Sequence, residues 1–472
     1  MKVLVVNPPA WNNTDFIREG RCMQTKSSWA ALWMPLSLCY IAAVLRKQNH
    51  EVLLIDCIAE KTDNAKLLEI TGHFAPEMVI LNTAIPSING DMNTAAVIKK
   101  GSPEIKIAAV GIFPTIFEYE CLEKFPQVDY AIMDEPEWAV AALVNSVALK
   151  DSPVGIKGLI FRTGSEIIVG ERQNLSENRL DDLPFPARDL LNNDAYRLPT
   201  NGEKFTLLSV GRGCSENCIY CIANLYYGRR FRKRSVDKVL EEIEECIDKY
   251  DIRNFLFWGE SFTTDPQYGE SVCDEIIRRK LKISWSTTTR VDTLNQGLLI
   301  KMKMAGCILL GLGIESYDQE VLNSALKRIT VEQIDNAVSM VRKAGISSMG
   351  HFVFGLPGDT RETALKTIKF ACRNVDFAQF YCAIPYPKTE LGRISGEKGW
   401  TGMYKYEDLD LTKSVMGNET FSAAEVKKIR DYAYRKFYFR LKMILQTFRE
   451  VKSFKSFLSL LNFITWIKPR ND

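Results

Sequence analysis

Three thiols stand at a C-x3-C-x2-C spacing in the stretch Gly211-Arg212-Gly213-Cys214-Ser215-Glu216-Asn217-Cys218-Ile219-Tyr220-Cys221. Three thiolates in one short loop can hold a metal centre, but they leave a four-coordinate ion one ligand short. A structural zinc site closes with a fourth Cys or His. The nearest further cysteine in sequence, Cys246, falls in an amphipathic helical pattern, and no histidine lies between His73 and His351. A [4Fe-4S] cluster held through three of its irons leaves the fourth iron open to a small molecule, which suits the missing ligand. The plainer alternative is three unrelated buried cysteines.

Such a loop needs a scaffold. From residue 205 onward, apolar runs at 205–210, 255–258, 283–285, 308–312, 352–354 and 377–382 alternate with helical patterns. In one of these patterns Val239, Leu240, Ile243 and Ile247 share a face. Six βα units predict a partial (β/α)6 barrel, short of the eight that close, with its site at the carboxyl ends of the strands. Every polar or glycine-rich motif of this region follows a predicted strand. The cysteine loop follows the first, Gly259-Glu260 the second and Thr287-Thr288-Thr289-Arg290-Val291-Asp292 the third. Gly311-Leu312-Gly313-Ile314-Glu315-Ser316 follows the fourth, Gly355-Leu356-Pro357-Gly358 the fifth and Tyr386-Pro387-Lys388-Thr389 the last.

The cysteine loop, with Tyr220 just before its third cysteine, resembles the cluster loop of the radical S-adenosylmethionine (SAM) superfamily. The resemblance implies that Cys214, Cys218 and Cys221 ligate the cluster, that SAM chelates the open iron, and that reduction cleaves SAM to a 5′-deoxyadenosyl radical. It assigns Glu260 to the SAM amino group, Thr289 and Arg290 to ribose oxygens and the SAM carboxylate, and Glu315 to the ribose hydroxyls. The turn at Gly355 would pass close to adenine. Taken alone, each fragment has a plain reading; Glu315, for example, could cap the next helix. This chain departs from the pattern in lacking paired acids after the second strand and in carrying Lys388 where relatives have Gly.

Ahead of this region, about residues 1–150, runs at 3–6, 52–55, 78–81, 105–110 and 128–132 alternate with helical stretches and predict a doubly wound, Rossmann-like parallel sheet. Ligands of such sheets sit at the strand carboxyl ends, here Asn7-Pro8-Pro9, Asp56, Asn82-Thr83 and Gly111. The order of elements resembles the cobalamin-binding domain of one large radical SAM class, with echoes in residues 35–46 and in Asp134-Glu135-Pro136-Glu137. That resemblance implies cobalamin held by Asn7, Thr83 and Gly111, but without a DxHxxG histidine ligand, because Asp56 is followed by Cys57, Ile58, Ala59 and Glu60. A domain that keeps the shape without the cofactor stays open as the alternative. So do two readings of Cys22, as a catalytic thiol or as part of an ordinary surface loop.

With 472 residues, 25% of them charged, the chain is too long for one core and too apolar for disorder. A formal charge of +3 gives no reason to expect nucleic acid. Unpaired cysteines and an N-terminus that reads as a strand point to the cytoplasm. Residues 151–204 read as a linker with a small hairpin, and residues 396–472 as a basic, aromatic helical segment. That segment either lies on a membrane's inner face or packs on the barrel. The expectations are a radical SAM enzyme that methylates an unactivated carbon of a hydrophobic small molecule, fed by a flavodoxin- or ferredoxin-like electron donor. The alternatives are oxidative cyclisation or rearrangement and, from another class, a non-catalytic cobalamin or metal sensor.

Overall fold

The computed structural model describes residues 1–20, 22–25, 31–176, 179–199, 201–441 and 443. The N-terminal sheet has the order β4-β1-β5-β6-β7-β8-β9. Its strands are β1 (Lys2–Asn7), β4 (Glu51–Asp56), β5 (Met78–Thr83), β6 (Lys106–Gly111), β7 (Tyr130–Ile132), β8 (Leu159–Thr163) and β9 (Glu166–Val169). The first five are parallel, and β8 and β9 add an antiparallel edge. Both faces of β1 and β5 are buried, which explains why these strands read as unbroken apolar runs. A separate hairpin, β2 (Phe16–Glu19) with β3 (Cys22–Thr25), follows β1.

Residues 151–204 do more than link. Besides supplying β8 and β9 to the first sheet, they bury Arg188 and Tyr196, and the Tyr196 hydroxyl donates to Asp56 Oδ2 at 2.7 Å.

The second sheet is six-stranded, parallel and in chain order: β10 (Phe205–Ser209), β13 (Asn254–Trp258), β14 (Ser284–Arg290), β15 (Cys307–Glu315), β16 (Ser347–Phe354) and β17 (Phe377–Cys382). A two-stranded ribbon, β11 (Gly211–Arg212) with β12 (Arg232–Lys233), brackets the cysteine loop. One face of the sheet carries Phe257, Trp285, Leu312, Phe352 and Phe380 into a core shared with the covering helices, including Val236–Tyr250, where the predicted apolar face is buried.

The two units share cores. Leu207 and Trp258 of the second pack with Val3 and Val5 of the first, and Ile222, Tyr226, Tyr227, Ile384 and Tyr386 pack with Val6, Leu81 and Phe113. Ile222, Tyr226, Tyr227, Ile384 and Tyr386 all follow strands of the second sheet, so the carboxyl end of that sheet packs against the first unit.

The C-terminal helix Ala423–Tyr438 uses its aromatic and basic residues on the sheet edge. Tyr438 donates to the Ala378 carbonyl at 2.7 Å, Arg430 Nε donates to the Phe380 carbonyl at 2.9 Å, and Tyr434 accepts from the Phe380 N–H at 3.3 Å. These side chains satisfy backbone groups of β17 that would otherwise form an open edge. The packing reading therefore holds for this helix. The apolar series Phe457, Leu460, Leu461, Ile464 and Ile467 lies outside the described residues. Among the described residues no helix is long and apolar enough to cross a membrane.

Candidate functional site

The cysteine loop leaves the sheet after β10 and is pinned at both ends and in the middle. Cys214 N–H donates to the Gly228 carbonyl at 3.2 Å and Ile219 N–H to the Ala325 carbonyl at 3.2 Å; Leu391 N–H donates back to the Ile219 carbonyl at 2.9 Å. Gly213 takes φ +90°, and a Cβ there would lie 2.1 Å from the Arg230 carbonyl oxygen, so only glycine fits ahead of Cys214. Cys214, Cys218 and Cys221 are all half-buried. By contrast Cys121, Cys246, Cys273 and Cys382 are buried, and burial pushes their thiols up to about 12. Among the described residues no three His, Cys, Asp or Glu side chains converge where a single ion would sit. Cysteines of a cubane each take a different iron and stand farther apart.

Charged groups gather around Cys218. Lys327 Nζ lies 2.7 Å from Glu315 Oε1, both residues being buried. Burial alone would lower the Lys327 pKa, but Glu315 and the Cys218 sulfur raise it. Arg290 is locked by a bidentate pair to Asp292 at 2.9 and 2.8 Å, and its Nη1 lies 3.6 Å from Glu216 Oε2 on the cysteine loop. Tyr220 is held well above its ordinary pKa, first by burial, then by Glu315, Cys218 and Cys221. Glu315 therefore caps nothing; the next helix, Gln319–Ser324, is capped by Asp318.

Glu260 is half-buried at the end of β13, where Gly259 packs against the Gly211 backbone. Arg290, Glu315 and the cysteine loop are thus brought together, with Glu260 beside the loop's base. Thr289 is not among them. Its hydroxyl meets those of Thr263 and Thr293, on the same strand face as the core residue Trp285. Thr288 shares the other face with Gly311 and His351. Gly355, at φ +84°, has its N–H committed to Asp359 Oδ2 at 3.0 Å, so its turn offers shape rather than a donor. Lys388 pairs with Glu118 at 2.5 Å. No sequence motif points to Lys327, a lysine in the short connection after Gln319–Ser324.

In the N-terminal sheet Asn7, Asp56, Thr83 and Gly111 end adjacent strands. Asn7 Nδ2 donates to Asp56 Oδ1 at 2.8 Å, and Thr83 donates to the Val110 carbonyl at 2.7 Å. At Gly111, φ is +103° and a Cβ would lie 2.3 Å from the Thr83 carbonyl oxygen. This floor supplies backbone and shape. The two histidines of this domain are engaged elsewhere: His50 contacts the Met1 amino group and Asn145, and His73 contacts the Glu69 carbonyl. Cys22, half-buried, lies near enough to Tyr386 to raise its pKa after burial and Asp410 have done so.

A buried ionic clamp ties this pocket to the cysteine loop. Arg212, two residues before Cys214, pairs with Glu137 at 2.6 Å and Glu135 at 3.4 Å, and Arg232 pairs with Glu135. Both acids follow β7, so the strand ends of one sheet are fixed to the root of the other's loop.

Two family models match. Residues 208–371 match the radical SAM superfamily and residues 27–144 the B12 binding domain. The chain is 30% identical to an uncharacterised methyltransferase of Pyrococcus horikoshii, over 96% of each chain. It is 24% identical to the anaerobic magnesium-protoporphyrin IX monomethyl ester cyclase of Rubrivivax gelatinosus, over 91% of this chain and 78% of that one. The structure of the radical SAM methyltransferase TsrM from Kitasatospora setae, with cobalamin and a [4Fe-4S] cluster bound, superposes with a TM-score of 0.70 at 18% identity. That match covers 91% of this chain and 84% of that one. The chain belongs to the radical SAM superfamily. Within it, the B12-binding domain places it in the cobalamin-binding class, and it is an enzyme whose cofactors are a [4Fe-4S] cluster, SAM and cobalamin.

Proposed function

We propose that this enzyme transfers a methyl group to an unactivated carbon of a hydrophobic small molecule. The observation that carries the reading is the clamp of Arg212 and Arg232 on Glu135 and Glu137, which supports a cobalamin pocket opposed to the cluster loop. In this reading residues 1–150 hold cobalamin and residues 205–395, a partial barrel, hold the cluster and SAM. Helix Ala423–Tyr438 closes the barrel's edge, and a membrane surface is the partner of the basic C-terminal segment.

Cys214, Cys218 and Cys221 hold the cluster. When bound and reduced, the cluster supplies the electron that cleaves SAM to a 5′-deoxyadenosyl radical. Glu260 accepts from the SAM amino group, Arg290 meets its carboxylate, and Glu315 accepts from the ribose hydroxyls. Lys327 holds Glu315 in place through their 2.7 Å contact, Tyr220 screens Cys218 from water, and the turn at Gly355 passes close to the adenine. Thr289 supports the strand end that carries Arg290. Asn7, Thr83 and Gly111 would shape the floor of the cobalamin pocket, and the DxHxxG histidine is replaced in this chain by Ile58. A flavodoxin- or ferredoxin-like protein supplies the electron.

The similarity to the R. gelatinosus cyclase keeps a second reading, oxidative ring closure. Incubating the reconstituted enzyme with methyl-deuterated SAM and a host lipid and pigment extract distinguishes them by mass. A product carrying the intact labelled methyl supports transfer. An unlabelled product that has lost hydrogen supports cyclisation and refutes it.

A further inference from the structure

Beside the cysteine loop the chain runs Gly228-Arg229-Arg230-Phe231-Arg232-Lys233-Arg234. Its cations divide by burial. Arg232 and Arg234 are buried and paired with Glu135 and Glu242, and Lys233 pairs with Asp265 at 2.5 Å. Arg229 and Arg230 are exposed, and among the described residues neither has an ion-pair partner. These two lie just before β12, whose antiparallel partner β11 leads directly into the cysteine loop. Gly228 accepts the Cys214 N–H, and the Arg230 carbonyl is the atom that packs against Gly213. Ser215 and Asn217 of the loop itself are exposed on the solvent side.

We infer that Arg229 and Arg230 form the docking surface for an acidic one-electron carrier protein that reduces the cluster. The inference rests on the reading that Cys214, Cys218 and Cys221 hold it. One electron leaves the reduced carrier and enters the cluster, and no atom is transferred. Tunnelling demands a short span, and Arg229 and Arg230 directly follow Gly228, whose carbonyl anchors the loop at Cys214. Unpaired surface arginines cost little to desolvate against carboxylates and steer an acidic partner over distances set by ionic strength. The chain's own last stretch is an unsuitable occupant because it is itself basic at Lys452, Lys455, Lys468 and Arg470.

The test uses the full reconstituted chain under anaerobic conditions. Bleaching of the cluster's absorbance is followed by stopped flow, with reduced flavodoxin in one arm and dithionite in the other. Arg229→Glu/Arg230→Glu is expected to slow reduction by flavodoxin at least tenfold at low salt, with the gap closing as salt rises, while dithionite bleaches both proteins alike. Lys427→Glu/Lys428→Glu, on the C-terminal helix, is expected to leave both arms unchanged. An unchanged flavodoxin rate and salt slope in the arginine variant would overturn the docking surface. If the reversed chain also loses the dithionite reaction, Arg229→Gln/Arg230→Gln, which adds no charge, is read instead by the same criterion. Failure of dithionite to bleach the parent protein would remove the cluster reading on which the surface depends.

Discussion

The Lys327 ammonium lies 2.7 Å from the Glu315 carboxylate, over a floor that Gly313 leaves clear. A Cβ at Gly313 would stand 2.9 Å from that ammonium nitrogen. The carboxylate assigned to the SAM ribose is thus positioned by a partner some distance along the chain.

Lys327→Met leaves Glu315 buried and unpaired, which costs roughly 3 kcal/mol. Urea denaturation should show that loss, and calorimetry should show weaker SAM binding. Adding Glu315→Gln to Lys327→Met should recover most of the stability but not the SAM affinity, since the neutral amide is a poorer acceptor.

The clamp makes a second cycle. Arg212→Met and Glu137→Gln should each destabilise the chain by a few kcal/mol, and the double variant should lose much less than their sum. Equal additivity in chemical denaturation would mean the pair contributes nothing as a pair.

At Gly213 any side chain collides with the Arg230 carbonyl oxygen, and φ +90° is unfavourable for every other residue. Gly213→Ala should therefore displace Cys214 and lower the iron bound after reconstitution, as measured by metal analysis against protein. Gly396→Ala, where a Cβ meets nothing within 4 Å, is the matched control.

Glu19 carries a pH signature. It is buried, accepts from Ser37 N–H and Oγ, and has its pKa raised to about 7, chiefly by burial. The folded chain therefore holds a proton that the unfolded chain releases near the ordinary carboxylate value. Stability from this group is complete below that value and is lost as pH rises to about 7, a change of roughly 3 kcal/mol. Melting curves of wild type and Glu19→Gln should converge at low pH and separate, with the variant higher, toward neutrality.

Much of this was legible from residue pattern because the parallel strands of the first sheet are covered on both faces and read as apolar runs, while in the second sheet β14 is alternately buried and takes the hydroxyl run Thr287–Thr289 into the strand itself. What escaped depended on contacts. Lys327 reaches Glu315 through a turn where Leu326 and Arg328 take left-handed conformations at φ +49° and +55°, which no motif announces. Thr288 and Thr289 differ by one residue and therefore by a whole sheet face, and a run of three threonines gives no period to choose by. Tyr434, Tyr438 and Arg430 read equally as membrane-facing or packing residues until β17 is seen to end the sheet.

The most direct test of the central claim is release of 5′-deoxyadenosine. The full chain, reconstituted anaerobically with iron and sulfide and given dithionite and SAM, is assayed beside Cys214→Ala/Cys218→Ala/Cys221→Ala. The parent should release 5′-deoxyadenosine and the triple variant none. Equal amounts from both, or none from a parent that has bound its iron, would contradict a cluster held by these three cysteines as the source of the radical.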